Sequence, residues 1–134
     1  MKQLSALTCI QLTLAFLWIY QGLVPKLLFI NADEIAVWQW FGLSYQHAIW
    51  AGQAAGIGEI FFGLLFLFSR QRYLHYINIA ALIGLFILIS LLIPETLIRA
   101  FNPVAMNLSM LSLSFVFLSL IQQSSLEFSV QEKE

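Results

Sequence analysis

Charge is what this sequence has least of. Six basic and seven acidic residues are spread over 134 positions, so charged side chains make up 10% of the chain, against roughly 25% in a soluble domain. The net charge of −1 and the scatter of its carriers leave no basic patch for nucleic acid and no polybasic lipid-binding tail. Cysteine occurs once, at Cys9. Chemistry that needs two thiols in one chain, including dithiol–disulfide exchange with a quinone, is therefore excluded. Cys9 falls in an apolar run and reads as a small buried residue. No long-period repeat and no second domain is visible.

What fills the space is apolar: 60% of the residues. A soluble domain of this size hides only about two-thirds of its surface, so lipid has to cover the rest. A bilayer core of roughly 30 Å takes about 20 apolar residues in a helix. Four windows meet that length: 4–30, about 48–68, about 74–93 and about 104–121. The first exceeds a signal-peptide core and has no small-residue cleavage site after it, so it reads as a retained helix. Ser69-Arg70-Gln71-Arg72 separates the second and third windows. Pro94 stops the third, and Asn102-Pro103 opens the fourth as an N-cap followed by a first-turn proline. The reading is all-α: one transmembrane domain over 1–134, a membrane-embedded four-helix bundle. Its tail, about 122–134, would be cytoplasmic, with a disordered charged end from Gln131 to Glu134.

With four spans, Lys2, Arg70, Arg72 and Lys133 share one side. The other holds only Lys26 and Arg99 among three carboxylates, Asp33, Glu34 and Glu95. The positive-inside rule then places both termini in the cytoplasm of a bacterial inner membrane. The connection from Asn31 to His47 carries Trp38, Trp40, Phe41 and Tyr45, with Ile35, Trp38 and Phe41 at helical spacing. A short interfacial helix between the first two spans explains this, either as an aromatic anchor or as a lid over a cavity.

Polar residues inside spans are costly and face the bundle interior or a functional cavity. Glu59 is the sharpest case. Gly52, Gly56, Glu59 and Gly63 are spaced by four, three and four, which puts them on one helical stripe. Small residues there let another helix approach closely, so Glu59 points at a neighbouring helix and not at lipid. On the first span Gln11, Ala15, Gly22 and Lys26 share a similar stripe, and Pro25 should disturb the ladder beside Lys26. Lys26 counts as about two turns nearer the surface than Glu59, so a direct bridge would need a shifted helix, a water or a relay. Asn102, Asn107 and Ser114 line one face of the fourth span. With Gln53 and Arg99 the candidates are Lys26, Gln53, Glu59, Arg99, Asn102 and Asn107, biased toward the outer half. They would form either an outward-opening pocket or glue between helices. His47 and His75 fall on opposite sides and cannot jointly hold one haem, and no metal-ligand cluster is spaced in the sequence. No cofactor is encoded by a motif; a quinone, as a mobile lipophile, could still bind.

Trp18-Ile-Tyr-Gln-Gly-Leu-Val-Pro-Lys26, Gly56-x-x-Glu59-x-x-x-Gly63 and Asn102-Pro103-x-x-x-Asn107 resemble, in this order, the signatures of the DoxX-like family of small bacterial four-helix membrane proteins. The resemblance covers essentially the whole chain. It implies a four-helix inner-membrane protein and makes Lys26, Glu59, Asn102 and Asn107 candidates for a shared site. The family's namesake is similar to the membrane subunit of a thiosulfate:quinone oxidoreductase, and other relatives are linked to membrane redox or detoxification systems. Three functional classes follow. One is a quinone- or lipophile-binding component of a membrane oxidoreductase, working with a redox partner subunit. Another is an accessory or assembly protein whose polar cluster is structural. The third is a small homo-oligomeric proton-coupled transporter, although four spans without inverted halves leave little room for alternating access.

Overall fold

The computed structural model describes residues 2–99 and 102–131. Five α-helices follow in order: α1 (Lys2–Leu23), α2 (Ala32–Trp40), α3 (Tyr45–Phe68), α4 (Arg72–Leu92) and α5 (Pro103–Gln131). A π-helical turn, Val24–Leu28, continues α1, and a 3₁₀ turn, Pro94–Ile98, lies between α4 and α5. Four stretches are long and apolar enough to cross a membrane: Ala6–Leu28, Tyr45–Phe68, Arg72–Leu92 and Pro103–Ser125. No strand occurs among the described residues. The molecule is an all-α bundle with α2 as its short interfacial helix.

Local chemistry sets the boundaries. Pro25 has no N–H to give to the preceding turn, and the ladder widens there instead of simply bending. Phe29 N–H donates to Val24 O, five residues back, at 2.8 Å, and the helix then stops. Asn31 caps α2 by accepting from Asp33 N–H at 3.0 Å. Ser44 does the same for α3, accepting from His47 N–H at 3.5 Å. Asn102 caps α5: its Oδ1 accepts from Val104 N–H at 3.0 Å and Ala105 N–H at 3.3 Å, with Pro103 in the first turn. α5 runs ten residues past the expected Ile121. The fall in hydropathy at Gln122 ends the apolar stretch, but no glycine or proline interrupts the hydrogen-bond ladder before Gln131. The remaining charged residues, 132–134, lie outside the described residues.

The helices are apolar inside and outside alike, as membrane spans are. Leu14, Phe66, Leu82, Met110 and Phe117 form the buried core, while Phe16, Phe61, Phe68, Ile77 and Leu91 face outward. α1 lies centrally, packed on α3 along its length and on α5. α4 packs on α5, and α2 packs on α3. Cys9 is exposed, contrary to the expectation of burial. The inward stripe of α1 runs through Leu7, Ile10, Leu14 and Trp18, and Cys9 falls off it.

Glycine decides how α1 and α3 meet. Gly56 touches α1 so closely that a Cβ there would stand 2.7 Å from Gly22 O and 2.9 Å from Lys26 Cβ. Gly63 meets Ala15 O and Ile19 in the same way. Gly52 instead receives the Trp38 indole of α2, at 3.7 Å from where its Cβ would be. The small-residue stripe is thus the seat of two neighbours, α1 and α2.

A polar cavity beneath the interfacial helix

Gly22 and Gly56 sit level with one another, each glycine's carbonyl against the other's Cα. Lys26 lies four residues outward on α1 and Glu59 three residues inward on α3. At about 1.5 Å per residue, this leaves an axial gap of roughly 10 Å. Side-chain direction closes it. Cα–Cβ bonds tilt toward a helix's own N-terminus. The N-terminus of α1 is at the far end of the bundle, so Lys26 slants inward. That of α3 is at the near end, so Glu59 slants outward. Bare glycine at 56 lets the lysine stem pass. The result is a direct Lys26 Nζ–Glu59 Oε1 ion pair at 2.6 Å, with only 11% and 18% of the two side chains exposed. The two-turn offset read from the sequence stands, but no shifted helix, water or relay is needed to bridge it.

Lys26 is shared. Its ammonium also lies 3.4 Å from Glu34 Oε2 in the first turn of α2. The adjacent Asp33 pairs with Arg99, beyond the 3₁₀ turn. Two consecutive carboxylates of α2 therefore tie it to α1 on one side and to the α4–α5 connection on the other. Beneath α2 lies a cavity of about 360 Å³. Its polar lining includes Lys26, Glu34, Glu59, Gln21 and Asn107, together with the Asp33–Arg99 pair. Val37 and Trp38 cover it from α2, and Leu85, Leu88, Ile89 and Met106 form an apolar wall from α4 and α5. Trp40, Phe41, Tyr45 and Trp50 are exposed around this end. The interfacial helix is thus a cover on its inner face, with aromatics on its outer side.

Of the sequence candidates, Lys26, Glu59, Arg99 and Asn107 line this cavity; Gln53 and Asn102 do not. Gln53 is half-buried, off the lining face of α3. Asn102 is spent on structure: besides capping α5 it donates to Leu97 O at 3.2 Å and Arg99 O at 2.9 Å. Gly22, Gly52, Gly56 and Gly63 serve helix packing. Glu59 Oε2 is buried without a hydrogen-bond partner among the described residues.

Sequence reasoning passed over Gln21 and Glu34 as lining residues, while Trp38 stood in the segment read as either an anchor or a lid. Gln21 is buried and donates to Asn107 Oδ1 at 2.9 Å, forming the cavity floor. Its place beside Gly22 on the inward stripe was the available signal. A second polar network, also unread, lies deeper. Trp18 Nε1–H donates to Asn78 Oδ1 at 2.7 Å. The Asn78 amide donates to Ser114 Oγ at 2.8 Å and Met110 O at 3.3 Å. His75 meets Ser114 Oγ at 3.1 Å and stacks on Phe117. His75 and Asn78, one turn apart on α4, were the trace of it in the sequence. Among the described residues no three of His, Cys, Asp and Glu gather as metal ligands.

No curated protein and no solved structure matches the chain at a significant level. A family model does: it aligns with residues 15–115, a stretch that holds the α1 motif ending in Lys26, the Gly56–Gly63 stripe with Glu59, and the Asn102–Asn107 start of α5. On that match, over most of its length and through each element that builds the cavity, this multi-pass membrane protein belongs to the DoxX-like family.

Proposed function

We propose that the chain binds a lipophilic small molecule with a neutral polar head, of the quinone class, in the cavity under α2. It would serve as the ligand-binding component of a membrane oxidoreductase system and exchange electrons through a partner subunit. In this reading it resides in the bacterial inner membrane with both termini in the cytoplasm and α2 on the outer face.

The observation that carries the reading is the Lys26–Glu59 pair, held in the membrane at 2.6 Å and facing an apolar wall across the cavity. A volume of about 360 Å³ suits a small head group. The Lys26 ammonium and the Asn107 amide are donors that a quinone carbonyl can accept from. Glu59 Oε2, lacking a partner among the described residues, can accept from a hydroquinone hydroxyl. Charge argues for a neutral head. Lys26 and Arg99 face Asp33, Glu34 and Glu59, so an anionic lipid would add a fourth negative charge to a poorly screened site. A structural role for the same groups is the second reading. It is favoured by the cross-helix bonds Gln21–Asn107 and Trp18–Asn78, which join α1 to α5 and to α4.

The test is mass spectrometry of lipophiles that copurify with the protein in mild detergent, wild type against Glu59→Gln. A quinone held by the wild type and lost from a folded Glu59→Gln protein is the expected result. Equal ligand content in both, or none in either, would assign the cluster to structure.

A further inference from the structure

The cavity is covered on one side and open on another. At its α2 end, Glu34 is held by Lys26, and Asp33 by Arg99, which keeps α2 across the top. Among the described residues no ion pair joins α3 to α4. α3 packs on α1 and α2, whereas α4 packs on α5. Their ring contact, Phe66 on His75 at 5.2 Å between centroids, lies beside the turn that joins them. Beyond that turn α3 and α4 are not packed on one another among the described residues. Ala55 and Glu59 then line the cavity from one side and Leu85 and Leu88 from the other.

α3 and α4 each carry a glycine, Gly58 and Gly84, that packs on no neighbouring element among the described residues. Gly58 follows Ala55 by three residues and Gly84 precedes Leu88 by four, so each lies on the helix face of a cavity-lining neighbour. A Cβ at either position would meet nothing within 4 Å. Gly22, Gly56 and Gly63, by contrast, each abut a neighbouring helix. In a membrane helix glycine is used where something must approach closely. At Gly58 and Gly84 no described residue fills that place.

We propose that the groove between α3 and α4, continuous with the cavity, holds the apolar tail of the ligand whose head lies beside Lys26 and Glu59. The ligand therefore loads sideways from the bilayer and not from the water. This rests on the reading that the cavity binds a lipophile, and it narrows the class to single-tailed amphiphiles with a neutral head. The polar groups come mainly from α1, α2, α3 and α5, and α4 contributes only the apolar Leu85, Leu88 and Ile89. A head can then reach the ion pair while its tail never leaves hydrocarbon, which avoids exposing apolar surface to water.

The full chain in lipid nanodiscs is tested with two probes, a tailless benzoquinone and a benzoquinone carrying a long isoprenoid tail. Binding is read by quenching of tryptophan fluorescence, since Trp38 lines the cavity. The variant is Gly58→Phe/Gly84→Phe, with single Gly84→Phe as the milder form should the double variant not fold. Both sites have open space for a side chain. The expected result is a Kd for the tailed probe raised by about tenfold or more, the contact of roughly two buried methylenes, with the tailless Kd held to within about twofold. Unchanged binding of both probes overturns the tail groove and leaves the cavity reading standing. A changed oligomeric state with unchanged binding also overturns it, and gives the groove to a second copy of the chain. If the wild type binds neither probe, the cavity reading fails and the tail groove fails with it.

Discussion

Replacing Gly56 with alanine probes the contact on which the whole site depends. The new Cβ would stand 2.7 Å from Gly22 O and 2.9 Å from Lys26 Cβ. Ordinary contact begins at about 3.4 Å, so α1 and α3 must part by roughly 0.7 Å, or the backbone around Lys26 must shift. Neither neighbour is the free end of a flexible side chain. Overfilling of this kind costs about 1–3 kcal/mol, while alanine regains about 0.5–1 kcal/mol of helix preference over glycine. The net expectation is a loss of about 1–2 kcal/mol. Gly84→Ala is the internal control, because its Cβ meets nothing within 4 Å, and it should be neutral or slightly stabilising. Both would be measured by reversible unfolding in mixed micelles with increasing denaturing detergent, followed by far-UV circular dichroism. The difference between the two variants isolates the clash from helix propensity. If Gly56→Ala is as stable as Gly84→Ala, the close crossing of α1 and α3 is wrong. The derivation of the Lys26–Glu59 pair would then go with it.

Three further variants probe named contacts. Lys26→Met strands two carboxylates beneath α2 and should destabilise the protein by about 3 kcal/mol or more, as removal of one partner from a buried pair does. Lys26→Met/Glu59→Leu should cost less than the two single changes together by at least about 1 kcal/mol in the same unfolding assay; strict additivity would mean the two side chains do not interact. Asn102→Ala removes the α5 cap and should lower stability by about 1 kcal/mol. Because Asn102 lies off the cavity lining, the copurified ligand content of that variant should match wild type. A selective loss of ligand without loss of stability would return Asn102 to the site.

Much of the architecture could be read without coordinates, because membrane insertion is a property of composition and length. Four windows of about 20 apolar residues, with charges at their ends apart from Glu59, have few alternatives once lipid is the solvent. The stripe of Gly52, Gly56, Glu59 and Gly63 was legible too, since helical periodicity alone fixes which residues share a face. So was Asn102-Pro103 as a helix start, where capping is a matter of local backbone donors. The fourth apolar window, about 104–121, did not reveal the full length of α5, because hydropathy marks where lipid stops, while the helix continues for as long as its hydrogen-bond ladder does.

Tertiary structure alone decided the rest. The sequence placed Lys26 and Glu59 on inward faces but set them two turns apart, because residue counting measures axial depth and ignores the opposite tilts of side chains in antiparallel helices. It could not say that the π turn at Pro25 would leave Lys26 between Glu34 and Glu59. Nor could it separate Asn102, consumed by a cap, from Asn107, which meets Gln21 at the cavity floor. The sequence by itself determined that polar groups would sit inside an apolar bundle, because burial preference is carried residue by residue. Which of them met, and that α3 and α4 would not pack on one another beside them, depended on the relative placement of helices far apart in the chain. That placement is set by the close contact of Gly22 with Gly56, a property of two surfaces and not of either segment.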